Sequence, residues 1–275
     1  MKYISTFFGL ICMLTVSAQK SKYKVNLNNQ QKIVVKTSSN SDVDMGMGMT
    51  MKNFTNSESH ILVISADDKT YTVTNALKGL KISMDMMGQS TTYDSDKKED
   101  SASEIGRSIK LNIPDTFLLN KLNGTVTALN ADTAKSTDDS NPMENMLESL
   151  GSRSDMAIEE TFFVIPDGKK QGDKWRDSSS TKDSKTTREF SLERIEKNIA
   201  SIKYSKKVNS SIQAEVQGMQ MTSTTDITTT GTMQVDIKNG LVVKRDAVSD
   251  LTGTVEVMGQ SLPISGKVTT NTTSE

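Results

Sequence analysis

Apolar residues recur at every second position through much of the chain, with polar residues between them. That period predicts strands with one buried face, because successive side chains of a strand point to opposite sides. QKIVVKTSS (31–39) reads as a first strand from its β-branched content. DVDMGMGMTMKNF (42–54) alternates through Val43, Met45, Met47, Met49 and Met51 and reads as a second. HILVISA (60–66) is a third. Asp67-Asp68 turns it into TYTVTNAL (70–77), and GLKISMDMMGQSTTYDSD alternates through Leu80, Ile82, Met84 and Met86. Together these predict an antiparallel meander with one buried face.

Further on, KKEDSASEIGRS (97–108) is charged and small, and a short helix is expected over 103–109. DTFLLNKLNGTVTALNA (115–131) has the form strand, turn, strand about Asn123-Gly124. A polar joint follows, and PMENMLESLG reads as a helix with Asn141 as its cap. Met143, Met146, Leu147 and Leu150 then share one side, and Gly151 ends it. A second β-rich stretch starts at Ala157 and holds an acidic-polar insert at 176–187. EFSLERIEKNIASIKYSKKV (189–208) reads as a hairpin about Lys197-Asn198, in preference to a helix through Ile195, Ile199 and Ile202. Threonine-rich strands fill the remainder, with a turn at Asn239-Gly240. MGQS occurs at 87–90 and again at 258–261, which leaves open a duplication of two related halves. The expected fold is mainly β: one or two strongly curved antiparallel sheets with one or two short helices. The expected segments are 1–18, a β-rich 19–140, a helix and linker over 141–156, and a β-rich 157–275.

Composition adds a location. The 275 residues are 34% hydrophobic but only 5% aromatic, so much of the chain must lie on surfaces and in turns. MKYISTFFGLICMLTVSAQK opens with Lys2, runs through an apolar stretch and reaches Val16-Ser17-Ala18 before Gln19. This is the form of a secretory signal peptide cut after Ala18. Cys12 is the one cysteine and raises a lipoprotein signal as an alternative, disfavoured by Ile11 before it, where lipoprotein processing wants a small side chain. Cleavage after Ala18 leaves a mature chain without disulfide, thiol nucleophile or thiolate metal site. The expected location is periplasmic or extracellular, including association with the cell envelope. Without Lys2 the chain has 32 basic and 34 acidic residues, a net charge of -2, which is wrong for a nucleic-acid binder. No later stretch is long and apolar enough for a spanning helix.

Candidate chemistry centres on methionine. On one strand, Met45, Met47, Met49 and Met51 would share a face over about 20 Å. Met84 with Met86, and Met219 with Met221, repeat the spacing. Three readings follow: plain core, since methionine fills irregular space; the wall of a cavity for an apolar ligand; and a soft site for copper(I). Trp175, in GDKW, reads as a packing anchor or as part of a ligand mouth. DSDKKED fails calcium-loop spacing, because Ile105 stands where the bidentate glutamate belongs. Glu159 and Glu160 are adjacent and would point to opposite faces of a strand. A single His60, with no GxSxG elbow, leaves no Ser-His-Asp set. The chain is therefore expected to be non-catalytic and without a cofactor. Its expected function is binding of a lipid or other apolar ligand in a cavity behind the curved sheet. Met45, Met47, Met49, Met51, Met84, Met86, Met219, Met221 and Trp175 would line that cavity. The alternatives are a cell-envelope structural or protein-interaction module with a solid core, and methionine-based copper(I) binding.

YTVTNALKGLKISMDMMGQSTTYDSDKKED, DTFLLNKLNGTVTALN and FFVIPDGKKQGDKWRD together resemble an uncharacterised family of secreted proteins of Bacteroidota. The matching steps are Tyr93-Asp94-Ser95, Gly124-Thr125-Val126 and Gly172-Asp173-Lys174-Trp175. The resemblance implies export and carries no catalytic residues. A more distant likeness is to periplasmic lipoprotein-carrier folds, in which a curved sheet half-wraps a helix and an apolar cavity.

Overall fold

The computed structural model describes residues 23–46, 48–129, 158–216, 219–257 and 260–275. Twelve strands form one sheet: β1 (Lys32–Asp44), β2 (Thr50–Ala66), β3 (Thr70–Met86), β4 (Gln89–Asp94), β5 (Asp115–Asn120), β6 (Val126–Ala128), β7 (Lys174–Ser180), β8 (Ser184–Glu196), β9 (Ile199–Val216), β10 (Met219–Asp236), β11 (Leu241–Val257) and β12 (Gln260–Ser274). Their order is β6-β5-β3-β2-β1-β12-β11-β10-β9-β8-β7, with β4 paired to the upper part of β3. Neighbours are antiparallel, and β1 with β12 joins strands from both ends of the chain. Among the described residues the helical elements are a 3-10 turn at Asp100–Ala102 and α1 (Glu104–Ser108), whose first turn is capped by the Ser103 hydroxyl accepting from the Gly106 N–H. The helix expected over 142–150 lies outside the described residues.

The mainly antiparallel β class is as expected, but the strong curvature is not. The sheet is open, with its path ending at β6 and β7, and it is neither closed nor strongly curled. A curled sheet needs something to wrap, and the five residues of α1 are too short to fill a concavity. Strand lengths also differ from expectation. Residues 50–66 form one strand of 17 residues, and 70–86 form another, where shorter runs were read. The segment 176–187, read as an insert, is the β7–β8 hairpin.

Turns follow their local chemistry. Lys197 and Asn198 both have positive φ, at 48° and 78°, and close the β8–β9 hairpin as expected. MGMGMTM does not run as a single strand. Gly46 and Gly48 both sit at φ 76°, the Met45 N–H donates to the Met49 carbonyl at 2.9 Å, and the Met49 N–H donates to the Gly46 carbonyl at 3.0 Å. Met45, Gly46, Gly48 and Met49 lie at the tip of the β1–β2 hairpin, and Thr50 and Met51 begin β2.

Three apolar clusters lie on one side of the sheet, termed here the core face. Along the lower edge, Val25 and Leu27 of the entering chain and Ile158 and Phe162 pack on Ile33, Val35, Ile61, Val63 and Val73. Beside them Ile165 and Tyr23 cover Phe190, Leu192, Ile202, Met233 and Val235. Residues 158–166 are held down by the Phe163 N–H to the Gly240 carbonyl at 2.9 Å and by Arg245 to Glu160 at 3.1 Å. At the upper left corner Met51, Leu80, Ile82, Met84 and Tyr93 pack under Ile105 of α1. The middle and upper right of the core face carry no second layer among the described residues.

Candidate interaction surface

The expected ligand wall does not assemble around a void. Met51 and Met84 are buried in the upper left cluster, and Met45 packs against it. Met49 is half-buried in the hairpin tip, Met86 is exposed, and Met47 lies outside the described residues. Met219 and Met221 are on β10, where Met221 stands opposite Ala214 of β9 and Val257 of β11. Four strand spacings separate β2 from β10 in the sheet order, about 19 Å. Trp175 is half-buried, stacked on Phe190 with centroids 5.4 Å apart and tilted against Phe163 at 6.4 Å. It belongs to the lower cluster. Two recesses, of about 460 and 570 Å³, open at the surface beside Tyr23 and Ile237, and beside Arg194 and Thr232. None of the methionines expected to line a cavity lines either one. Among the described residues there is therefore no apolar-ligand cavity behind a curved sheet: the sheet is open, and Met51, Leu80, Ile82, Met84, Tyr93 and Ile105 close on one another as solid core.

Other groups do not converge for chemistry. His60 Nε2 pairs with Glu58 at 2.7 Å on the outer face. Among the described residues no three His, Cys, Asp or Glu side chains are placed to hold a metal ion. The steps that carried the family resemblance act as clasps. Ser95 Oγ accepts from the Leu80 N–H at 2.9 Å, and the Asp94 N–H donates to Asp100 at 2.8 Å. The Gly172 N–H donates to the Leu192 carbonyl at 2.7 Å, and the Asp173 carboxylate accepts from the Lys170 N–H at 2.9 Å. Gly124 has a φ of 73°, and a Cβ there would lie 3.7 Å from Phe162.

What the sheet does present is two faces of different chemistry. Register places opposed residues on the same side. One row of the outer face reads Lys52, Asp42, Lys267, Asp250 across β2, β1, β12 and β11. Its charges alternate and pair, Lys52 with Asp42 at 3.9 Å and Lys267 with Asp250 at 3.7 Å. Such exposed pairs keep a face solvated and add little stability.

The uncovered part of the core face is of another kind. From β1 across to β10 it carries Ser, Thr, Gly and aliphatic residues and no charge above Arg245. One row runs Val43, Gly266, Leu251, Ile227 and on to Val208 of β9, where Lys206 and, on β8, Arg188 border the strip on the same face. Above it Ile264, Leu262 and Val255 continue the apolar character, half-buried. Below it the hydroxyls bond to each other across strands: Thr37 meets Thr272 at 3.3 Å, Ser39 meets Thr270 at 3.5 Å and Thr229 meets Ser249 at 2.8 Å, and above it, in the row of Ile264, Ser210 meets Thr225 at 2.6 Å. A hydroxyl already paired costs less to strip of water than a free one. Four strands, β1, β12, β11 and β10, and ten residues enclose roughly 600 Å².

The sequence did not single out this surface. Its signal was present as odd-numbered Thr, Ser and Gly in 223–231 and 249–253, which looked like solvated strand.

A family model described as "Family of unknown function (DUF6263)" matches residues 68–242. No curated protein matches the chain. Among solved structures, one of lipovitellin, titled for its lipid–protein interactions, is similar with a TM-score of 0.46 at 10% identity, over 91% of this chain and 25% of that one. The chain thus spans about a quarter of the length of lipovitellin. An outer membrane channel from Pseudomonas putida F1 is similar with a TM-score of 0.23 at 8% identity, over 92% of this chain and 98% of that one. No described helix is long and apolar enough to cross a membrane.

Proposed function

We propose that this chain, which belongs to the DUF6263 family, is an exported, non-catalytic β protein that acts through a protein-binding surface, the uncovered core face. One observation carries the reading: the contrast between an uncharged face with paired hydroxyls and an opposite face of alternating charge. A sheet with one apolar face is stable when that face is covered by another element. Among the described residues the cover lies over the lower edge and upper left corner, and about 600 Å² carries none. The leader-like start of the chain and the likeness to secreted Bacteroidota proteins support an envelope or extracellular setting.

Adjacent positions on β11 supply the test. Ser249 is on the core face, and Asp250 is on the outer face. Cys12 is the only native cysteine, so Ser249→Cys and Asp250→Cys can be labelled selectively with a maleimide. Labelling at 249 is expected to be severalfold slower in intact cells than in dilute purified protein, with 250 alike in both. Equal rates at 249 in the two settings would show that nothing covers this face.

A further inference from the structure

We infer that the partner is a second copy of this chain, packed core face on core face about a two-fold axis to give a two-layer sandwich. The inference rests on the reading of this face as an interaction surface.

Charge is the first argument. In an isologous contact each patch meets itself, so any net charge on it meets its own sign. The strip from β1 to β10 has no charge above Arg245 to repel its copy, and Lys206 of β9 marks where it ends, whereas a row of the outer face pairs Lys52 with Asp42 and Lys267 with Asp250. Hydrogen bonding is the second. The hydroxyls bond within the sheet, so a copy that brings no matching donors leaves none of those pairs broken.

Size agrees. About 600 Å² per copy, which makes roughly 1,200 Å² in total, reaches the lower end of the range for a stable interface. Aligned sheets pack about 10 Å apart through interdigitating side chains, and Leu251, Ile227, Ile264 and Leu262 supply the apolar side chains of this face. Along the stretch of β12 beyond the end of β1, Pro263 has no N–H to offer a further strand.

Sedimentation equilibrium on the full mature chain between about 1 and 100 µM tests this. Wild type is expected at twice the monomer mass at the upper end. Thr229→Lys adds a charge to the strip on β10, opposite Lys206 of β9, and is expected to weaken association by about a hundredfold. Thr230→Lys, one residue on and facing out, is expected to leave it unchanged. Ser39→Lys repeats the core-face charge on β1 and serves should Thr229→Lys fail to fold. Equal weakening by Thr230→Lys would overturn the geometry.

A wild-type monomer throughout would overturn the second copy. Two further readouts then separate the causes. Slow labelling at 249 in cells would leave the interaction surface standing with a different protein partner. Co-sedimentation with phosphatidylethanolamine–phosphatidylglycerol vesicles, lost in Thr229→Lys, would move the occupant to a lipid surface and overturn the protein-binding reading as well.

Discussion

Asp67 closes the turn between β2 and β3 with one carboxylate and three hydrogen bonds. Oδ1 accepts from the Lys69 and Thr70 N–H groups, each at 2.7 Å, and Oδ2 accepts from the Thr70 hydroxyl at 2.7 Å. Donors to the ionised form favour it, the Thr70 hydroxyl most, and the carboxyl pKa falls from 3.8 to about 2. A folded pKa below the unfolded one gives stability that is complete above the unfolded value. It is lost as pH falls from 3.8 through about 2. Thr70→Val removes the largest cause. Carboxyl NMR titration should show the Asp67 midpoint moving up toward its ordinary value, and the acid loss of stability in that window should shrink. An unchanged midpoint would assign the shift to the backbone donors alone. This turn was readable as Asp67-Asp68, because an Asx turn is written in its own residues. The Met45–Met51 tip was misread for a complementary reason. Period-two methionine mimics a strand, and the signal lay in the glycines between, both of which take φ 76°.

At the scale of the strand, Gly231 shows what holds β9, β10 and β11 together. A Cβ there would lie 2.5 Å from the Asp246 carbonyl and 2.9 Å from the Tyr204 ring, which lies against the bare backbone. Arg245 in turn sits 5.6 Å over that ring and reaches Glu160. Burial pushes the Tyr204 hydroxyl pKa up, and the Arg245 charge opposes the rise. Gly231→Ala should therefore lower stability in urea unfolding by about 1–3 kcal/mol, the range for overpacking. A neutral result would mean that the ring moves aside freely. Strand ends and hairpin turns were legible, and strand lengths were not. The centre of β2, Asn56-Ser57-Glu58-Ser59, is polar on both faces and reads as a break between two short strands. Hydrophobic period reports which face is covered rather than whether a strand exists. Where the core face lacks a second layer, Ser and Thr stand at the inward positions and the alternation fades.

The same unevenness of cover sets the behaviour of the whole molecule. Its lower edge is two layers thick, with Val25, Ile158, Phe162 and Ile165 over the sheet. Higher up, β9 to β12 run on past the ends of their neighbours: β1 reaches only Ser265 of β12, and β8 reaches only Ser210 of β9. Local opening is cheapest where few apolar contacts are broken. Hydrogen exchange on dilute monomer should therefore follow height in the sheet rather than position in the sequence. Amides of β10 near Met233 and Val235 should be slowest, with a steady rise in rate toward Thr222 and Thr224. The partner strands β9, β11 and β12 should show the same gradient in register. Uniform protection from end to end of β10 would mean that the ladder itself, rather than the covering layer, sets local stability. The residues that produce such a gradient are the ones that made the sheet hard to read in sequence. Ser39, Thr229, Ser249 and Thr270 lie on the same face as Val35, Met233, Leu251 and Val268, and chain order alone does not show that they belong to one continuous surface. If that surface is covered by a second copy, protection of its middle rows should rise with protein concentration while the lower edge stays as it was. The slope of exchange along β10 therefore reports both the missing layer and its replacement.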